Sequence, residues 1–77
     1  MPTKKEFIIK GQEVILVNGV FYRAKVTRYL NATALLHRER DEPALIAKVG
    51  NKIIVEEWYM NNKLYRKGKP ARKEYKI

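Results

Sequence analysis

The side chains able to do chemistry in this chain are mostly cations. Of 77 residues, 17 are Lys or Arg and eight are Asp or Glu, so the formal charge at pH 7 is +9. The excess sits at the two ends. Residues 1–28 hold six bases against two acids, residues 63–77 hold seven against one, and residues 29–62 hold four against five. Two groups of candidate binding residues follow: Arg23, Lys25 and Arg28 along one stretch, and Lys63, Arg66, Lys67, Lys69, Arg72 and Lys73 as a C-terminal cluster. Crowded like charge works against a compact state, and a counter-charged partner relieves it. Nucleic acid or an acidic protein surface is therefore the expected partner. Phe21, Tyr29 and Tyr65 are interleaved with these cations. Aromatics beside a basic groove can stack on unpaired bases at roughly 1–3 kcal/mol per base.

Catalytic chemistry finds little footing. His37 is the only histidine, and a general base needs an orienting partner and a reactive group within reach. The carboxylate pairs Asp41-Glu42 and Glu56-Glu57 are sequence neighbours. Strand neighbours point to opposite faces, so neither pair converges on one substrate or one metal. There is no cysteine, and one histidine without cysteine supplies no zinc-type ligand spacing. No phosphate-cradling glycine motif is present. The expectation is a protein with no catalytic residue, no metal and no cofactor.

The elements that must carry the cations read as strands. Asn18-Gly19 is a strong short hairpin signal, because both central residues of a type I′ turn need positive φ. Val20–Leu30 alternates, with Val20, Tyr22, Ala24, Val26 and Leu30 on a core side and Phe21, Arg23, Lys25, Thr27 and Tyr29 on the other. Before it, Glu6–Lys10 predicts a short strand, Gly11-Gln12 a turn, and Glu13–Val17 a buried strand. After it, residues 31–40 fit either a helix capped by Asn31 or a strand ending at Leu36-His37-Arg38, with strand favoured. Ala44–Val49, a Gly50-Asn51 turn, a long Lys52–Met60 strand, an Asn61-Asn62 turn and Lys63–Arg66 follow. Lys67–Pro70 predicts a turn and Arg72–Ile77 a last strand or basic tail. The fold class expected is all-β: one domain over 1–77, an antiparallel meander or partly open SH3-like barrel of six to eight short strands. Residues 1–5, and on some readings 74–77, are expected to fray. An exposed edge strand of such a sheet can pair two copies of the chain into a homodimer. No apolar run approaches the roughly 20 residues that span a bilayer, and MPTKKEF is not followed by a signal-like apolar run. A cytoplasmic protein with no membrane partner is expected.

A short grammar recurs. Val17–Arg23 (VNGVFYR) lines up with Met60–Arg66 (MNNKLYR), and Leu36–Ala44 (LHRERDEPA) with Leu64–Ala71 (LYRKGKPA). Such recurrence points to duplicated hairpins. Through Trp58-Tyr59, Asn61, Lys63-Leu64, Arg66 and Pro70-Ala71, and upstream through Leu36-His37-Arg38-Glu39 and Pro43-Ala44, residues 36–73 resemble a repeat of phage and large-virus proteins that is grouped with MORN-variant repeats. Here Asn62 stands for the turn glycine and Tyr65 for histidine. The resemblance implies a β-hairpin array, a viral source (hence host cytoplasm) and no catalytic residue. Separately, Val14, Phe21-Tyr22-Arg23-Ala24 and Val26 within residues 11–29 resemble the opening of an SH3-like or Tudor-type barrel, which implies nucleic-acid or peptide binding. Two functions are expected of the whole. One is a non-enzymatic module gripping nucleic-acid phosphates with low sequence specificity. The other is a phage-type effector whose basic surface docks on an acidic host protein and inhibits or redirects it.

Overall fold

Asn18 and Gly19 set the first hairpin, both with positive φ, +51° and +80°, as a type I′ turn requires. They join β1 (Phe7–Val17) to β2 (Val20–Leu30) with every residue from Phe7↔Leu30 to Val17↔Val20 in register. The structure, a computed structural model, describes residues 7–76. The expectations for residues 1–5, for Glu6 and for Ile77 lie outside them. The chain continues through β3 (Leu45–Val49), β4 (Lys52–Glu57), β5 (Tyr59–Met60), β6 (Lys63–Leu64) and β7 (Arg72–Glu74). The fold is all-β. One antiparallel sheet runs β1-β2-β3-β4-β7 and a small sheet pairs β5 with β6. The large sheet is an open meander, not a closed barrel, with β1 and β7 as its edges. Among the described residues no helix is long and apolar enough to cross a membrane.

Register sorts the side chains onto two faces. On the inner face Val17, Ala24, Val26, Ala47, Ile54 and Val55 form the buried core, with Ile15, Tyr22, Leu45 and Val49 packed against it. Ile54 and Val55 are adjacent yet both fully buried, which plain alternation forbids. Ala47 pairs with Val55 and Lys48 with Ile53, so Ile54 is the extra residue of a bulge. A bulge lets two neighbours on one strand face one residue on the partner and bends the strand there.

Four expectations are corrected. Gly11-Gln12 is not a turn: β1 runs straight through it. Gly11 faces Val26, and a Cβ placed on it would meet open space, so the strand neither needs nor uses a turn there. The run Glu13–Val17 is not continuously buried but half-buried. Val14 and Leu16 are exposed, while Ile15 is partly buried and Val17 fully. Residues 31–40 form neither helix nor strand beyond a single bridge between Leu36 and Leu30. There the Asn31 carboxamide oxygen accepts from the Thr33 N–H, the Thr33 hydroxyl and the Leu35 N–H, closing a local turn that competes with regular structure. The long strand expected at Lys52–Met60 breaks at Trp58, where the chain leaves β4 for the small sheet.

Candidate nucleic-acid interface

Alternation along β1 and β2 places Lys10, Arg23 and Lys25 on the outer face, with Phe21 and Tyr29. Register across the sheet adds Lys48, directly opposite Lys25, and Lys73, opposite Glu56. All five of these cations are exposed. Among the described residues none of the five is ion-paired. Glu56, the one acid in register on this face, accepts a hydrogen bond from the Tyr75 hydroxyl at 2.5 Å. That bond raises the Tyr75 pKa above its ordinary value. Like charges directly opposite on neighbouring strands repel, so Lys25 and Lys48 hold an uncompensated positive field over the middle of the sheet.

The other expected binding cations are arranged differently. Arg28 shares a strand with Arg23 and Lys25 but faces inward, where its guanidinium donates both nitrogens to the Glu13 carboxylate. That hydrogen bond holds the Glu13 carboxyl below its usual range and raises Arg28. Arg72 also faces inward, donating to Glu57 opposite it and to Glu74. The Glu57 carboxylate, only 11% exposed, accepts in addition from the Tyr59 hydroxyl at 2.8 Å. Burial, reinforced by that bond, raises the Tyr59 pKa. Arg66 is held by Asp41 and by the ring of Trp58, 3.7 Å from its centroid. The Arg66 hydrogen bond holds the Asp41 carboxyl below its usual range, and Lys69 stands 3.7 Å from the same carboxylate. Lys63 and Lys67 remain exposed in and after β6. The structure thus brings Lys73 to the face of Arg23 and Lys25 and sets Arg28, Arg66 and Arg72 against acids. The three expected stacking aromatics are dispersed. Phe21 lies by the hairpin tip, 71% exposed, Tyr29 lies under the Arg38 guanidinium, and Tyr65 lines an open groove of about 410 Å³ with Trp58, Arg66 and Arg38.

The internal repeat has a geometric counterpart. The His37 N–H donates to the Tyr29 carbonyl, and its aligned residue Tyr65 donates to the Trp58 carbonyl. Arg38 stacks on Tyr29 at 3.8 Å and donates to the Pro43 carbonyl, as Arg66 stacks on Trp58 and donates to that of Pro70. The Tyr29 N–H donates to the Ala44 carbonyl, as the Trp58 N–H does to Ala71. Each unit pins an arginine on the ring of an aromatic and ties it to the Pro-Ala that follows. Arg23, the aligned arginine of the Val17–Arg23 stretch, lies on the outer face and among the described residues makes neither such a ring contact nor an ion pair. His37 works as a connector: its Nδ1 accepts from the Asn61 N–H and its Nε2 meets Glu39 at 3.3 Å.

Sequence reasoning missed Lys10 and Lys48 as members of the outer face. Lys10 is recoverable by counting back from the Asn18-Gly19 turn. Lys48 depends on the β2–β3 register, which a loop of irregular backbone sets. No protein-family model, curated protein or solved structure matches this chain.

Proposed function

We propose that the chain is a non-enzymatic binding module whose outer sheet face contacts nucleic-acid phosphates with little sequence preference. The observation that carries this reading is the Lys25–Lys48 pair, flanked by Lys10, Arg23 and Lys73 on the same face. Each phosphate neutralised there releases condensed counterions, which favours binding at low salt. Arg28, Arg72 and Arg66 support the fold rather than the contact, because their charge is already met by Glu13, Glu57 and Asp41. His37 is engaged at both ring nitrogens in holding a turn, consistent with a module that performs no reaction.

The test is a binding series with fluorescently labelled mixed-sequence DNA, as a duplex and as a single strand, from 50 to 300 mM salt. Affinity is expected to fall steeply with salt and to vary little with sequence. Replacing Arg23, Lys25 and Lys48 by Gln is expected to weaken it further and flatten the salt slope. Absence of binding at 50 mM salt, or unchanged affinity in the triple variant, overturns the reading.

A second reading is favoured by the apolar cluster Val14, Leu16 and Phe21 beside Arg23 on the same face. Apolar contact bordered by cations suits an acidic protein with a central apolar spot, as a phage-type effector acting on a host protein would require. In that case a dominant partner survives nuclease treatment of a host lysate, and Phe21→Ser abolishes its capture.

A further inference from the structure

Strand β1 has a complete hydrogen-bonding edge with no strand of the described residues against it. In a two-residue hairpin the pair flanking the turn, Val17 and Val20, exchanges both backbone bonds, and such pairs then alternate along the ladder. Odd-numbered residues of β1 therefore bond β2. The same parity holds on β2, whose odd-numbered Tyr29 donates its N–H to Ala44 on the β3 side. Ile8, Lys10, Gln12, Val14 and Leu16 are left with N–H and C=O directed outward. The strand is eleven residues long. It also exposes Phe7, Ile8, Ile9, Val14 and Leu16, each between 47 and 63%. A long edge with large apolar side chains is a template for another strand.

We infer that β1 pairs antiparallel with β1 of a second copy of this chain, about a two-fold axis at Gln12. The register follows from chemistry on the strand. Only pairing centred on Gln12 engages all eleven residues and keeps the outward-bonding positions opposite one another. It sets Ile8 against Leu16 of the second copy and Lys10 against Val14 on the outer side. On the inner side it sets Phe7 against Val17, Ile9 against Ile15, and Glu13 against Gly11, which has no side chain to oppose it. Centring on Lys10 or on Glu13 would place like charges together on the axis, which repel. Centring on Gly11 sets Glu13 against Ile9 and leaves Leu16 and Val17 unpaired. The two-fold arrangement is closed, so it ends at a dimer rather than a fibre. The opposite edge, β7, has only three residues, too few to compete. The dimer is a continuous ten-stranded sheet with both basic outer faces on one side.

The experiment exploits the absence of native cysteine. Single variants Lys10→Cys, Gln12→Cys and Val14→Cys are oxidised at low micromolar protein and resolved on a non-reducing gel. Opposed residues of a hydrogen-bonded pair have Cα atoms about 5.5 Å apart, within disulfide reach. Gln12→Cys is expected to give a covalent dimer at least ten times faster than the other two, whose thiols do not face each other. Equal rates for all three, or faster linking through residue 10 or 14, overturn the register. Sedimentation of the unmodified chain between 1 and 500 µM is expected to show a rise towards twice 9.1 kDa. Gln12→Pro removes an edge donor and spares the β1–β2 ladder, a position that sheets tolerate. It is expected to sediment as a monomer with unchanged far-ultraviolet circular dichroism. A native chain that stays monomeric at 500 µM overturns the inference, and neither measurement involves nucleic acid.

Discussion

At the scale of single residues, charge in this protein is divided between cations that are already satisfied and cations that are not. Arg38 and Arg66 stack on Tyr29 and Trp58. Trp offers the stronger face to a guanidinium, and the Arg66 side chain is 8% exposed against 27% for Arg38. Arg66→Lys is therefore expected to lower the thermal midpoint more than Arg38→Lys, in paired melts at one pH. A lysine keeps the charge but loses the planar fork. Trp58, 6% exposed with its indole N–H donating to the Asp41 carbonyl at 3.0 Å, is the heavier anchor. Trp58→Ala should cost about 3–5 kcal/mol in urea unfolding. The acids give a pH dependence. Glu13 and Asp41 are both held below their ordinary pKa by arginine. Unfolding returns them to about 4.3 and 3.9, so between folded and unfolded values the unfolded chain binds more protons. Their contribution is complete above about pH 5 and is lost as pH falls through the folded values. Urea midpoints at pH 3 should lie below those at pH 6, and Glu13→Gln should shrink the difference. An equal difference in the variant would mean that other carboxylates carry it.

At the scale of elements, turns and bulges decide which side chain faces where. Gly19 adopts φ +80°, and a Cβ placed on it would meet open space, so its replacement tests backbone conformation alone. Gly19→Val should destabilise by about 1–2 kcal/mol, read as a lower urea midpoint with unchanged slope. The hairpin was legible because Asn18-Gly19 and the alternation of Val20–Leu30 say the same thing, and they fix Arg23 and Lys25 on one face. Gly11 misled, because a glycine beside a polar residue reads as a turn, whereas here it sits in mid-strand opposite Val26. Ile54 was hidden, since a bulge leaves no mark in a continuous apolar run. The inward turn of Arg28 was implicit in the alternation, but its ion pair required knowing that it reaches along the sheet, past the Gly11–Val26 pair in the register, to Glu13 opposite Ala24. The inward turn of Arg72 was not legible at all. It follows from the β4–β7 register, which depends on where the irregular chain after β6 returns to the sheet. The aligned arginines of the repeat were visible as letters. Their stacking on Tyr29 and Trp58 was not, because those rings precede the two arginines by nine and eight residues.

At the scale of the whole molecule, the outer face sets stability against binding. Lys25 and Lys48 occupy directly opposed positions on β2 and β3, a pair that costs the isolated protein roughly 0.2–1 kcal/mol relative to neutral neighbours. A merely solvated face has no need of that arrangement, since either lysine could be Gln or Thr without loss of solubility. Removing one charge should therefore act in opposite directions on two measurements. Lys48→Gln is expected to raise the urea midpoint at low salt, with the gain shrinking as salt screens the repulsion over a Debye length of about 10 Å at 0.1 M. The same change is expected to weaken binding to duplex DNA and to reduce the slope of log affinity against log salt by about 0.9, the loss of one phosphate contact. Lys67→Gln, a cation of the groove rather than of this face, controls for net charge and should leave both the midpoint and the slope nearly unchanged. If Lys48→Gln stabilises the fold while binding stays intact, the opposed pair is not part of the contact. If both variants weaken binding equally, net charge and not the sheet face attracts the polyanion.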